Sequence, residues 1–243
     1  MDYLLYFVLL ALIAEIIGTV GGFGSSLLFV PIASYFMDFQ SVLGITALFH
    51  LSSNITKIYL FREGFDKKLV MNMGISAVFF VIIGAVLSKY FSPKILELAL
   101  AFFLILLSLV FLLFKNLTVK PTFQNSVLGG AISGFIAGLV GTGGAIRGVV
   151  LASYNLKTSV FIATSAIIDL GIDLSRSVVY TMNGFVHYDD LYLIPILLMV
   201  SIVGSFIGKK ILNSLTEAQF KNIVLSLILL TGTITVFKSL GAI

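Results

Sequence analysis

The chain has 243 residues, 59% of them hydrophobic and 11% charged, against roughly 45–50% apolar and about 25% charged in soluble domains. That composition excludes a soluble enzyme or a nucleic-acid-binding module and predicts an integral membrane protein, with room for about eight helices of ~20 apolar residues. The net charge of +4 fits basic loops that set membrane orientation, and the lack of cysteine removes disulfides, thiolate metal sites and redox thiols.

Residues 3–18 form an apolar run with no basic residue before it; this reads as a first membrane segment rather than a signal peptide. Further apolar blocks follow at 25–37, 41–62, 69–88, 94–114, 125–140, 144–154, 158–181, 190–208 and 216–237. Ser92-Pro93 places a cap residue before a first-turn proline, and Thr216-Glu-Ala-Gln219 reads as a capping box. The predicted class is all-α, a polytopic membrane protein.

The halves repeat at an offset near 120. Gly18, Gly21 and Gly24 fall on Gly138, Gly141 and Gly144, Gly64-Phe65 falls on Gly184-Phe185, and 82–89 matches 202–209. Small residues four apart, Gly84 with Ser88 and Gly204 with Gly208, allow close helix approach. We therefore divide one integral membrane domain into repeats 1–118 and 119–243, each of about four helical segments, the first of them broken at a glycine-rich loop. If the broken segments span, the loop cations divide six against six. If they enter and return, Lys89, Lys94 and Lys238 oppose nine others, as the positive-inside tendency requires. The expectation is re-entrant hairpins in inverted repeats, with both termini and Asp2, Asp38, Asp189 and Asp190 outside.

Three cations remain at membrane depth, Lys57, Arg147 and Arg176, with Glu15, His50, Asp169 and Asp173 as ionisable partners. An ionisable group there is costly unless paired or hydrated. Ser165, Asp169, Asp173 and Arg176 follow steps of four, four and three, and Thr46, His50, Asn54 and Lys57 repeat those steps at an offset of 119. Each set occupies one helix face, so the two stripes are expected to meet each other or a shared cavity. Asp173 and Arg176 also have a purely structural reading, mutual neutralisation. Glu15 either carries a coupling proton or pairs with Lys57 or Arg147. With one other histidine, His187, and no cysteine, neither a metal cluster nor a cofactor is expected.

Each glycine break, Gly21, Gly22, Gly24, Ser25 and Ser26 in the first half and Gly141, Thr142, Gly143 and Gly144 in the second, precedes a short apolar segment. A helix starting there offers unpaired backbone N–H groups and its positive dipole end to an anion. Arg147, one turn on, adds a cation suited to bidentate oxyanion contact. Glycine packing between helices is the competing explanation.

The runs Gly18-Thr-Val-Gly-Gly-Phe-Gly-Ser-Ser-Leu-Leu-Phe-Val-Pro31 and Gly138-Leu-Val-Gly-Thr-Gly-Gly144 resemble the TauE/SafE sulfite exporter family, also called the 4-toluene sulfonate uptake permease family. The resemblance extends over nearly the whole chain and implies transport of sulfur-containing anions such as sulfite or organosulfonates. Ser25 and Ser26 depart from the family where a third glycine is common, and no second-half proline matches Pro31.

The resulting expectation is a non-enzymatic secondary transporter in the cell membrane for a small sulfur oxyanion. The glycine breaks, Arg147, Asn54, Lys57 and Arg176 would bind substrate. Glu15, His50, Asp169 and Asp173 would couple a proton or Na⁺. The lipid bilayer and a second copy in a homodimer are the expected partners, with no nucleic acid. Alternatives are an anion channel, a regulatory membrane subunit, and an intramembrane enzyme using Asp169 with Asp173.

Overall fold

A computed structural model describes residues 2–22, 24–113, 119–212 and 233. Within them the secondary structure is helical: α1 (Asp2–Gly21), α2 (Ser26–Ala33), α3 (Phe39–Leu60), α4 (Lys67–Leu69), α5 (Ile75–Ser88), α6 (Pro93–Leu113), α7 (Phe123–Val140), α8 (Gly144–Ala152), α9 (Thr158–Met182) and α10 (Leu193–Leu212). α4 passes through a π turn, Val70–Gly74, into α5, giving one apolar span Lys67–Ser88. Six of the described helices are long and apolar enough to cross a membrane. The chain is an all-helical, multi-pass membrane protein. The capping box at Thr216 and the block 216–237 lie outside the described residues.

Contacts at the ends of α3, α9 and α10 define two faces. On the first face the Asp38 carboxylate caps α3 by accepting from the amides of Gln40 and Ser41, and Ser41 Oγ lies 2.7 Å from His187 Nδ1. On the second, Lys209 Nζ donates to the Leu60 carbonyl and sits over the Phe61 ring, and the Asp66 amide donates to Thr164 Oγ1. Helix α3 therefore runs from the first face to the second, α9 returns, and α10 again runs to the second.

The two broken segments are helical hairpins entering from opposite faces. Phe7 packs on both Phe29 and Phe36 at 5.8 and 5.3 Å between ring centroids, so α2 folds back antiparallel along α1 to the first face. In the other hairpin Ser126 lies 2.5 Å from the Tyr154 hydroxyl, returning α8 to the second face beside Leu69. A spanning arrangement would put Lys209 on the face opposite Arg62; the Lys209–Phe61 contact puts them on the same one. Several boundaries differ from the sequence reading: α2 ends at Ala33 rather than 37, and α10 runs Leu193–Leu212 rather than 190–208. α1 does not stop at residue 18 but continues to Gly21, long enough to cross on its own. Gly18 does not break α1: a Cβ there would lie 2.4 Å from the Ser25 amide nitrogen, so it is where the returning backbone crosses closest.

Helices interlock through small residues, as expected where lipid offers no hydrophobic drive and packing must come from close approach. Cβ atoms at Gly130, Gly134 and Gly138 of α7 would fall 2.3, 2.2 and 2.2 Å from the carbonyls of Met73, Ala77 and Val81. α5 and α7 thus run parallel with backbones touching. The predicted pair Gly204 and Gly208 brings α10 close against α1, where Cβ atoms would lie 2.7 Å from the side chains of Glu15 and Thr19. Gly84 meets the Phe135 carbonyl at 2.2 Å.

Candidate anion site at the hairpin tips

Both hairpins turn where glycine is conformationally required. Gly22 and Gly24 have φ of 65° and 83°, and Gly141, which ends α7, has φ of 85°, the left-handed region that side chains disfavour. The tips meet: Thr142 Oγ1 donates to Ser26 Oγ at 3.2 Å. Between them lies a cavity of about 10 Å³, lined by Gly24, Ser25, Ser26, Gly141, Gly143 and Gly144 from the tips and by His50, Ser53, Asn54, Lys57, Arg147, Asp169, Asp173 and Arg176. That is about the room one water needs. Ser25 and Gly143 precede α2 and α8 without capping them by a side chain, and the first residues of both helices, Ser26 and Gly144, line the cavity, where a helix start leaves amides without an intrahelical partner. Gly21, Gly22 and Thr142 stand behind this lining and shape the turns.

The two polar stripes do meet. Asn54 Nδ2 donates to Asp173 Oδ2 at 2.7 Å, and Arg176 lies 3.3 Å from His50 Nδ1. Thr46, the first member of its stripe, donates instead to the Val42 carbonyl within its own helix at 2.6 Å. Ser165 donates to the Gly22 carbonyl at 3.1 Å, tying α9 to the first tip.

The three buried cations each have a carboxylate. Glu15, wholly buried, pairs with Lys57 at 3.0 Å rather than with Arg147. Its carboxylate also accepts hydroxyls of Ser53 at 2.6 Å, Ser205 at 2.9 Å, Thr19 at 3.1 Å and Ser25 at 2.6 Å. Since Ser25 donates to Glu15, its oxygen accepts from His50 Nε2 at 3.0 Å. Nδ1 is then left to accept from Arg176, which assigns the neutral Nε2–H tautomer.

Arg176 Nε donates to Asp173 at 2.7 Å, and its Nη1 donates to the carbonyls of Gly141 at 2.7 Å and Ala137 at 3.3 Å. With Tyr180, which donates to the Gly138 carbonyl at 2.7 Å, it satisfies the carbonyl end of α7, where a cation also suits the helix dipole. Arg147 differs. Among the described residues it donates only to Ser165, at 3.3 Å, and to Asp169, with which it forms a short ion pair. Lys57 also has two partners, Ser53 and Glu15, but a guanidinium carries five N–H donors to an ammonium's three, so Arg147 has the most donors left to offer.

Sequence reasoning missed Ser53 and Ser205. Ser53 is adjacent to the stripe residue Asn54 and four before Lys57, so helical spacing from Lys57 signals it. Ser205 sits inside the repeated run 202–209, opposite Ala85 in the first copy, and that polar departure was its signal. Among the described residues no group of three His, Asp and Glu side chains is placed to hold a metal ion.

A protein-family model described as "Sulfite exporter TauE/SafE" matches residues 7–234, spanning both hairpins and the cavity. No match was found among curated proteins or among solved structures.

Proposed function

The chain belongs to the sulfite exporter TauE/SafE family, a family of membrane transporters of sulfur-containing anions, and from that premise we propose that it is a secondary carrier whose substrate anion binds at the hairpin tips. The observation that carries this reading is the convergence in one cavity of two helix starts without side-chain caps and Arg147. Helix N-termini and a guanidinium together favour an oxyanion. A cavity with room for one water suits a carrier that opens alternately better than a standing pore.

In this reading Arg147 and the amides of α2 and α8 hold the substrate, Asn54 and Lys57 line its path, and Arg176 supplies positive potential while bracing α7. Glu15, His50, Asp169 and Asp173 are the candidates to couple a proton or Na⁺. The halves 1–118 and 119–243 act as inverted repeats, as in transporters whose sites lie between related halves, and a homodimer is the proposed assembly. Cysteines placed at Lys120 and Lys209 should react with an impermeant thiol reagent from the same side and one at Asp189 from the other; labelling of Lys120 and Asp189 together would overturn this topology. Arg147→Ala should abolish sulfite binding, measured by calorimetry on purified folded protein, and undiminished affinity would overturn the assigned site.

A further inference from the structure

We infer that Asp169 is the coupling carboxylate: it holds Arg147 as an internal counter-ion, yields it to the substrate anion, and takes up a proton as it does so. This rests on the reading that Arg147 binds the transported anion.

Lys57, Arg147 and Arg176 are matched by Glu15, Asp169 and Asp173, and His50 is neutral by its hydrogen bonds, so this cluster has no net charge. An added anion would stand uncompensated in a low-dielectric interior, which is strongly unfavourable. One proton on a cluster carboxylate restores neutrality.

Geometry selects which one. Glu15 accepts from four hydroxyls and Lys57; protonated, it would become a donor facing donors. Asp173 is held by Arg176 and Asn54, both donors. His50 Nδ1 accepts from Arg176, and a proton there would oppose that guanidinium. Asp169 is held by Arg147, and its side chain is 16% exposed against 3% for Asp173 and 0% for Glu15.

The groups that face Asp169 from neighbouring elements are Arg147 on α8 and Lys57 and His50 on α3. Asp173 and Arg176 share its own helix, and the packed helices α5 and α7 carry no ionisable residue. When Arg147 moves its N–H groups from the carboxylate to a substrate oxygen, Asp169 gains one O–H from a solvent proton, and no other bond forms or breaks. Cluster and ligand together stay neutral for a monovalent anion such as a sulfonate or hydrogen sulfite. The result is electroneutral transport of anion and proton in the same direction, one proton per negative charge.

The test uses methanesulfonate, whose charge does not change across the neutral range, with the purified full chain. Its affinity should fall about tenfold per pH unit on the alkaline side, and binding in weak buffer should take up one proton. Asp169→Asn, neutral at every pH, should bind methanesulfonate with no pH dependence and without proton uptake. Wild-type binding without proton uptake, or a wild-type slope kept by Asp169→Asn, would overturn the inference. The proton count on the wild-type chain decides the matter even if the variant does not fold. Absence of binding by methanesulfonate, sulfite and sulfate at every pH would instead overturn the anion site itself, and this inference with it.

Discussion

Replacing Lys57 by methionine should cost far more stability than replacing Glu15 by glutamine, although the two form one ion pair. Glu15 is wholly buried and does not line the cavity, so Lys57→Met strands a carboxylate supported only by hydroxyls from α1, the first hairpin tip, α3 and α10. Breaking a buried pair from one side costs about 3–5 kcal/mol. Glu15→Gln leaves Lys57 on the cavity wall, donating to Ser53 at 2.7 Å, where a water can serve its remaining N–H groups. The neutral amide also keeps an acceptor for part of the hydroxyl set, so the expected loss is about 1–2 kcal/mol, on the scale of an imperfectly satisfied buried hydrogen bond. The double variant should be more stable than the sum of the single losses predicts, because it leaves neither charge unpaired. Reversible unfolding of the purified protein in mixed micelles, read as a double-mutant cycle, measures all three. Equal losses for the two single variants, or an additive cycle, would refute the claim that the cavity wall hydrates Lys57 and leaves Glu15 dependent on it.

Two further outcomes follow from packing and capping. Gly134→Ala puts a methyl group 2.2 Å from the Ala77 carbonyl and should cost about 1–3 kcal/mol by overpacking the α5–α7 seam, seen as a lowered unfolding temperature. At the rim of the first face, burial raises the Asp38 pKa, but hydrogen bonds from Ser41, the nearby His187 and the Gln40 amide outweigh it and hold the carboxyl below its ordinary value. A depressed folded-state pKa contributes stability that is present above the unfolded value, about 3.9, and is lost as pH falls through the folded one. Asp38→Ala should therefore lower stability by about 0.5–2 kcal/mol at neutral pH, as loss of an N-cap does. The difference from wild type should shrink in acid; a difference that grows instead would contradict the sign.

The helical class and the stripes on α3 and α9 were legible because membrane helices announce themselves by length and apolarity, and polar residues at helical spacing stand out against that background. That the two stripes would meet each other or a shared cavity was legible in their equivalent positions; that Asn54 is the residue that reaches Asp173 was not. Other features depend on depth and direction, which periodicity does not encode. Gly18 and Gly138 look like helix breakers in sequence, yet both lie inside helices, where they admit a neighbouring backbone. The Gly130, Gly134, Gly138 series has the spacing of a close helix contact, but of the three residues whose carbonyls it meets, Met73, Ala77 and Val81, only Ala77 is small, so the partner face carries no matching glycine series. In sequence Arg147 follows a glycine break and Arg176 follows Asp173 by three, but neither position tells what else each guanidinium binds. Only the fold shows that Arg176 braces the carbonyl end of α7 while Arg147 is held by one hydroxyl and one carboxylate.

That difference bears on how a site with room for one water could admit an oxyanion of four or more heavy atoms. α1 and α10 interlock through Gly204 and Gly208, and α5 and α7 through Gly130, Gly134 and Gly138, with separations that leave no space for even a Cβ. These seams, glycine against side chain between α10 and α1 and glycine against carbonyl between α7 and α5, resist sliding, because close-packed interiors do not deform continuously. At mid-depth the seam between α3 and α9 is of another kind: hydrogen bonds from Asn54 to Asp173 and from Arg176 to His50, with the tips joined by Thr142 and Ser26. Each of these groups is polar and can exchange its partner for water or for substrate oxygen, which a glycine–carbonyl contact cannot. The cavity lies on this exchangeable seam, and so does Asp169. In the proposed mechanism, opening the seam would expose both the groups assigned to the anion and the carboxylate assigned to the proton, so solvent proton and substrate would reach the site by the same opening.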